Sequence, residues 1–85
     1  MKQVIIYSSS NCSFCIMAKE LMESKGIAYK EFLVERNPEL VLEVVKKSGG
    51  LRTVPQIFID DYHVGGYDDL AALDNNGELE RLLDL

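Results

Sequence analysis

Several things are scarce in this chain. No run approaches the eighteen or so apolar residues that a membrane-spanning helix requires, so a membrane-spanning helix is excluded. Nine Lys and Arg stand against fourteen Asp and Glu, a net charge of −5, and basic residues do not cluster. A protein that grips nucleic acid or an anionic membrane needs such a cluster, so neither partner is expected. The start, Met1-Lys2-Gln3-Val4, lacks the apolar segment and small-residue cleavage site of a secretory signal, which makes the cytoplasm the expected location. Two cysteines and one histidine cannot supply four zinc ligands from one chain, and His63 is expected to be merely exposed on a hairpin. In a reducing compartment a cysteine pair is expected to be catalytic or metal-binding, not structural.

What is present is ordinary globular material. A length of 85 residues with 47% hydrophobic content makes one domain, residues 1–85, with one modest core. Repeats, linkers and low-complexity segments are lacking. Residues 2–7 are short, β-branched and closed by Ser8-Ser9-Ser10, which predicts a buried strand. Phe14, Met17, Ala18 and Leu21 form a stripe that predicts an amphipathic helix over 13–25, with Met17 and Met22 as core packing and Gly26 at its C-terminus. A second strand is expected within 27–34, giving a parallel crossover. Asn37-Pro38-Glu39 supplies a cap, a first-position proline and an acid, opening a helix with Leu40, Val41, Val44 and Val45 on its buried face and Ser48-Gly49-Gly50 at its end. Gln56–Ile59, the turn Asp60-Asp61 and Tyr62–Val64 read as a hairpin. After Gly65-Gly66, a short helix opens near Asp68, and Leu79, Leu82 and Leu83 mark a last amphipathic turn. The order β-α-β-α-β-β-α-α makes the fold class α/β, a four-stranded mixed sheet flanked by helices.

The chemistry concentrates at Cys12-Ser13-Phe14-Cys15, where the first strand delivers two thiols to a helix start. The first turn of a helix presents unpaired N–H groups and partial positive charge, which favour a thiolate over a thiol. Cys12 is therefore the thiol poised for chemistry, and Cys15, one turn in, is near enough to close a disulfide with it. Cysteines at this spacing within a βαβ pattern read as a thioredoxin-like redox motif, although half of a zinc site looks the same. Phe14, between them, is expected to line the site in part.

Two further stretches bear on this. Val54-Pro55 stands at the entrance to a strand, where a cis bond is available, and a cis bond there would turn the N–H and C=O of Val54 outward for an extended peptide to pair with. The plainer alternative is a proline that simply starts a strand. In Gly65-Gly66-Tyr67-Asp68-Asp69, paired glycines permit close approach of a ligand, a helix start binds a carboxylate, and acids receive an ammonium. A γ-glutamyl end fits that combination. The alternative is that Asp68 caps the helix while Asp69 offsets its dipole.

With these three motifs in this order, the chain closely resembles the glutaredoxins over nearly its whole length. The resemblance implies a thioredoxin fold and a glutathione-dependent disulfide oxidoreductase acting on disulfide-containing or glutathionylated proteins, with Cys12 as nucleophile and Cys15 as resolving thiol. It implies that Thr53 and Val54, beside Pro55, hold the cysteinyl part of glutathione. Gly66, Tyr67, Asp68 and Asp69 would form the γ-glutamyl site, and Arg52 would meet the glycyl carboxylate. Phe14 stands where the family usually has tyrosine. Two departures matter: Ser13 replaces the usual proline between the cysteines, and Ser9 stands where many members carry lysine, so the helix start must stabilise the thiolate without that cation. Some members with serine at the first of these positions bind a [2Fe–2S] cluster as dimers with glutathione as ligands. The resemblance thus implies a monomer unless a cluster is bound, with cluster binding through Cys12 as the alternative function.

Overall fold

The computed structural model describes residues 2–85 and consists of β1 (Val4–Ser8), α1 (Ser13–Ser24), β2 (Lys30–Leu33), α2 (Pro38–Ser48), β3 (Gln56–Ile59), β4 (Tyr62–Gly65), α3 (Tyr67–Asn75) and α4 (Glu78–Leu82). The element order is the expected one. The sheet runs β2-β1-β3-β4, with β1 parallel to β2 and antiparallel to β3, and β3 antiparallel to β4.

Strand side chains alternate between two faces, and both are covered. Val4, Ile6, Ile57 and Ile59 pack with Ala18 and Met22 of α1, Leu70 of α3, and Leu79 and Leu83 at the C-terminal end. On the other face Tyr7 and Phe58 pack with Val44 of α2, flanked by Ile5, Phe32, Val34 and Leu40. Fully burying an aliphatic or aromatic side chain of this kind is worth about 1.5–3 kcal/mol. The Tyr7 hydroxyl does not lie idle: it donates to Glu43 of α2 and receives from Lys47 Nζ at 3.2 Å, while Lys47 stands 4.7 Å from the centroid of Phe58. Burial, with the Glu43 carboxylate beside it, raises the Tyr7 pKa.

Helix ends follow the sequence signals. Asn37 accepts from the Leu40 N–H at 3.2 Å, and Gly49 closes α2 in the left-handed conformation at φ 76°. Gly26, at φ 70°, lets its own N–H reach the Glu23 carbonyl and the Ile27 N–H reach that of Met22. This cap draws Ile27 out of the strand, so β2 begins three residues later than the hydrophobic pattern suggested.

Two expectations are corrected. The buried stripe of α1 is Cys15, Ala18 and Met22, while Phe14 is 55% and Met17 40% exposed. Cys15, fully buried, is a small hydrophobe that sets the helix phase, and it turns Phe14 and Met17 outward. The cap of α3 is Gly66, not Asp68: the helix starts at Tyr67, and the carboxylate of Asp69, two residues into the helix, accepts the Gly66 N–H at 3.1 Å.

Candidate functional site

Cys12 is the N-cap of α1, with extended backbone (φ −138°, ψ 108°), and its sulfur accepts from the Cys15 N–H at 3.1 Å. That is the place a serine or aspartate oxygen takes in other helices, so the sulfur sits where the helix's unpaired donors converge. The first turn, Ser13-Phe14-Cys15, carries no acid to oppose negative charge there. Cys12 is half-buried and Cys15 is completely buried; the two are joined as a disulfide with Cα atoms 5.2 Å apart.

The loop that presents Cys12 is tied to β2 and the segment after it. Ser8 Oγ donates to Glu31, which also takes Lys19 Nζ of α1 at 2.8 Å; Ser10 N–H donates to Glu35 at 2.8 Å, and the Val34 N–H to the Ser8 carbonyl at 2.9 Å. The Lys19 ammonium and the Ser8 hydroxyl hold Glu31 below the usual carboxylate range, and the Ser10 bonds do the same to Glu35.

Across from Cys12 runs the segment before β3. The Val54-Pro55 bond is cis, and the Val54 carbonyl oxygen lies 3.7 Å from the Cys12 sulfur. Beside it opens a groove of about 400 Å³. Thr53, Val54 and Pro55 form its floor, and Gly66, Tyr67, Asp68 and Asp69 its far end at the start of α3. Phe14 walls one side and stacks on Tyr67, ring centroids 6.2 Å apart. Of the predicted set, the fold thus brings Phe14, Thr53, Val54, Pro55, Gly66, Tyr67, Asp68 and Asp69 together in one groove beside the Cys12–Cys15 disulfide.

Arg52 is the exception. It points to the α2 side of Val54, where it lines a second hollow with Val34, Arg36, Asn37, Pro38, Val41 and Leu42. Val54 lines the groove and, with Arg52, Val34, Val41 and Val44, a small crevice next to it. Arg52, Val34 and Val41 also line the basic hollow, so Val54 and Arg52 connect the groove to it through that crevice. Arg36, at the end of the β2–α2 connection, carried no sequence signal for this position.

His63 requires a correction too. It is half-buried, lines the groove, stacks on Phe58 at 4.8 Å between centroids, and places Nε2 at 2.7 Å from Gln56 Oε1. Gln56, 2% exposed, in turn donates to Thr53 Oγ1 at 3.2 Å. The register irregularity between Ile57 and Phe58 sits in this part of the hairpin, and pattern reading does not foresee it.

A mixed sheet in this order, with a Cys-x-x-Cys pair at the cap of the first helix and a cis-proline opposite, defines a thioredoxin-like dithiol protein. The comparisons narrow this further. The chain belongs to the glutaredoxin family, whose family model, described as glutaredoxin, matches residues 4–64. A glutaredoxin of Pseudomonas aeruginosa is 46% identical over 83 residues, covering 98% of both chains. Among solved structures, the glutaredoxin of Brucella melitensis has a TM-score of 0.83 at 46% identity and covers 98% of this chain and 89% of its own. A buckwheat glutaredoxin solved in complex with glutathione has a TM-score of 0.87 over 98% of this chain and 77% of its own; at 24% identity that likeness concerns the fold. Glutaredoxins are oxidoreductases, and the Cys12–Cys15 pair supports dithiol redox activity here.

Proposed function

We propose that this protein is a glutathione-dependent thiol–disulfide oxidoreductase that reduces glutathione mixed disulfides and protein disulfides. The observation that carries the reading is the placement of the Cys12 sulfur, 3.7 Å from the Val54 carbonyl, at the mouth of a groove that ends on the first turn of α3. An extended tripeptide paired with Val54 brings its central sulfur to Cys12. Its γ-glutamyl carboxylate meets the N–H groups at the start of α3 and its ammonium meets Asp68 and Asp69. Its glycyl carboxylate then runs toward Arg52 and Arg36. That the buckwheat relative binds glutathione supports the same ligand here.

The cycle starts from the dithiol. The Cys12 thiolate, stabilised by the helix start and the Cys15 N–H, attacks the glutathione sulfur of a mixed disulfide; the S–S bond breaks and the substrate leaves as a thiolate that takes a proton from solvent. Cys12 now carries glutathione. A second glutathione thiolate attacks that glutathionyl sulfur, oxidised glutathione leaves, and the Cys12 thiolate is regenerated. With a protein disulfide, the Cys12 thiolate attacks one substrate sulfur, the substrate S–S bond breaks and its other sulfur leaves as a thiolate that takes a proton. Cys15, losing its proton, then attacks the Cys12 sulfur, the mixed disulfide breaks and the second substrate thiolate leaves, giving the Cys12–Cys15 disulfide, the state seen in this structure. Two glutathione molecules return it to the dithiol.

The test is turnover of a glutathionylated peptide with glutathione as sole reductant, recycled by glutathione reductase. Turnover supports the reading; turnover only with thioredoxin reductase as electron source refutes it. Glutathione-dependent visible absorbance in protein purified without air, with no turnover, would assign Cys12 to the [2Fe–2S] role instead.

A further inference from the structure

The cycle above makes no use of His63, yet the histidine is wired to the groove floor. His63 Nε2 contacts Gln56 Oε1 at 2.7 Å, and Gln56 Nε2 contacts Thr53 Oγ1 at 3.2 Å. Gln56 is buried, so its carboxamide answers to these two neighbours and not to water. The chain crosses from β4 through β3 to the segment that faces Cys12.

Hydrogen bonds along such a chain have a direction, and histidine sets it. An imidazolium donates from both nitrogens and accepts from none. With His63 charged, Gln56 must turn its oxygen to His63 and its NH₂ to Thr53, whose oxygen accepts. The Thr53 hydroxyl proton is then released to donate into the groove. A neutral His63 with its proton on Nδ1 accepts at Nε2 instead, and the carboxamide can rotate by half a turn. Its oxygen then faces Thr53 and takes the hydroxyl proton, leaving the groove with lone pairs only.

We propose that His63 is a positioning residue that acts through Gln56 to set whether the Thr53 hydroxyl donates to or accepts from a bound ligand. This rests on the reading of the groove as a glutathione site, whose peptide carbonyls and carboxylates are acceptors and favour a donating Thr53. Protonation of His63 therefore tightens binding of the tripeptide. Other charged groups surround the relay: Lys47 of α2 stands over Phe58, on which His63 stacks, with Glu43 and Tyr7 beside it, and Asp68 and Asp69 of α3 share the groove. A control that keeps all of these is needed.

The experiment is an NMR pH titration of the oxidised protein, in which neither cysteine titrates, from about pH 5 to 8, where histidine changes charge. It is run with and without S-methylglutathione, a probe that cannot react. Without the probe, the Gln56 side-chain amide and Thr53 methyl signals follow the His63 imidazole midpoint, and in His63→Phe, which keeps a ring on Phe58 and every other charged group, that response is gone. With the probe, wild-type affinity rises about three- to tenfold as His63 protonates, the value of one hydrogen bond gained. His63→Phe and Thr53→Val lose that dependence, and Thr53→Ser keeps it. Gln56 and Thr53 signals that ignore the His63 midpoint overturn the relay whatever the probe does. PH dependence that persists in Thr53→Val overturns it as well, because the histidine charge then acts directly. If those signals follow His63 but the probe binds at no pH, the relay stands and the glutathione reading falls.

Discussion

The ring of Phe14 lies nearly parallel to that of Tyr67, 26° between planes and 6.2 Å between centroids, joining the first turn of α1 to the first turn of α3 across the groove beside Cys12. An aromatic pair of this kind is worth about 0.5–1.5 kcal/mol beyond its buried area. Phe14 is more than half exposed, so its ring contributes little to the core. Phe14→Ala is therefore expected to raise KM for a glutathione mixed disulfide about three- to tenfold while the thermal midpoint stays near wild type. Phe14→Tyr keeps the stack and should behave as wild type. Steady-state kinetics on both variants checks this, and an unchanged KM in Phe14→Ala removes the ring from the binding wall.

The two cysteines differ in burial, Cys12 half-buried and Cys15 completely buried, and the proposed cycle gives them different duties. Cys12→Ser should abolish turnover of every disulfide substrate, because the other cysteine, Cys15, is completely buried. Cys15→Ser should keep turnover of glutathione mixed disulfides and lose the reduction of protein disulfides that needs a resolving thiol. Parallel assays with a glutathionylated peptide and a disulfide protein read this out, and equal loss in both variants contradicts the assignment.

Gly65 and Gly66 are adjacent but not equivalent. Gly65 has φ 114°, and a Cβ there would stand 2.9 Å from Cγ of Asp69, displacing the carboxylate that receives the Gly66 N–H. Gly65→Ala should cost about 1–3 kcal/mol by denaturant unfolding. A Cβ on Gly66 meets only the Pro55 carbonyl oxygen at 3.7 Å, an ordinary contact, so Gly66→Ala should cost about 1 kcal/mol or less, the loss of a favourable cap residue. Equal losses would mean that the Asp69 contact does not matter.

Glu31 binds Lys19 and Ser8, and its pKa is lowered in the folded state from the ordinary 4.5. Above that ordinary value the carboxylate is ionised in both folded and unfolded chains, and the full stabilisation is present. It is lost as pH falls below 4.5 toward and through the lowered folded value. Both side chains are about a quarter exposed, which limits the increment to about 1 kcal/mol. Glu31→Gln should therefore unfold more easily at pH 7, with the difference shrinking toward the acid end. A constant difference across pH would contradict the ionic origin.

Local signals carried most of the fold. Asn37-Pro38, Gly26 and Gly49 marked helix ends because caps are decided by neighbouring backbone groups, and Asp60-Asp61 marked the hairpin, with Asp60 at φ 50°. The cysteine pair and the Val54-Pro55 segment could be placed for the same reason. Where the reading slipped, the deciding partner was distant in sequence. Cys15 was weighed as chemistry and not as the core residue that sets the phase of α1, so Met17 was placed inside. The alternative of an Asp68 cap follows from local cap preference, whereas the cap is Gly66, directly after β4, and Asp69 accepts its N–H. Nothing near His63 in the sequence announces Gln56 and Thr53, which meet it only when β3 and β4 pair. Arg52 and Arg36 fall together only once α2 has docked.

The most direct test of the account is where the glutathionyl group goes. Reduced protein is mixed with one equivalent of a glutathionylated peptide, quenched with acid after milliseconds to seconds, and fragmented in a mass spectrometer. The account predicts one glutathione on Cys12, transient in the wild type and accumulating to one per chain in Cys15→Ser. Glutathione found on Cys15, or absent from Cys12 in Cys15→Ser while the peptide is still reduced, would contradict it.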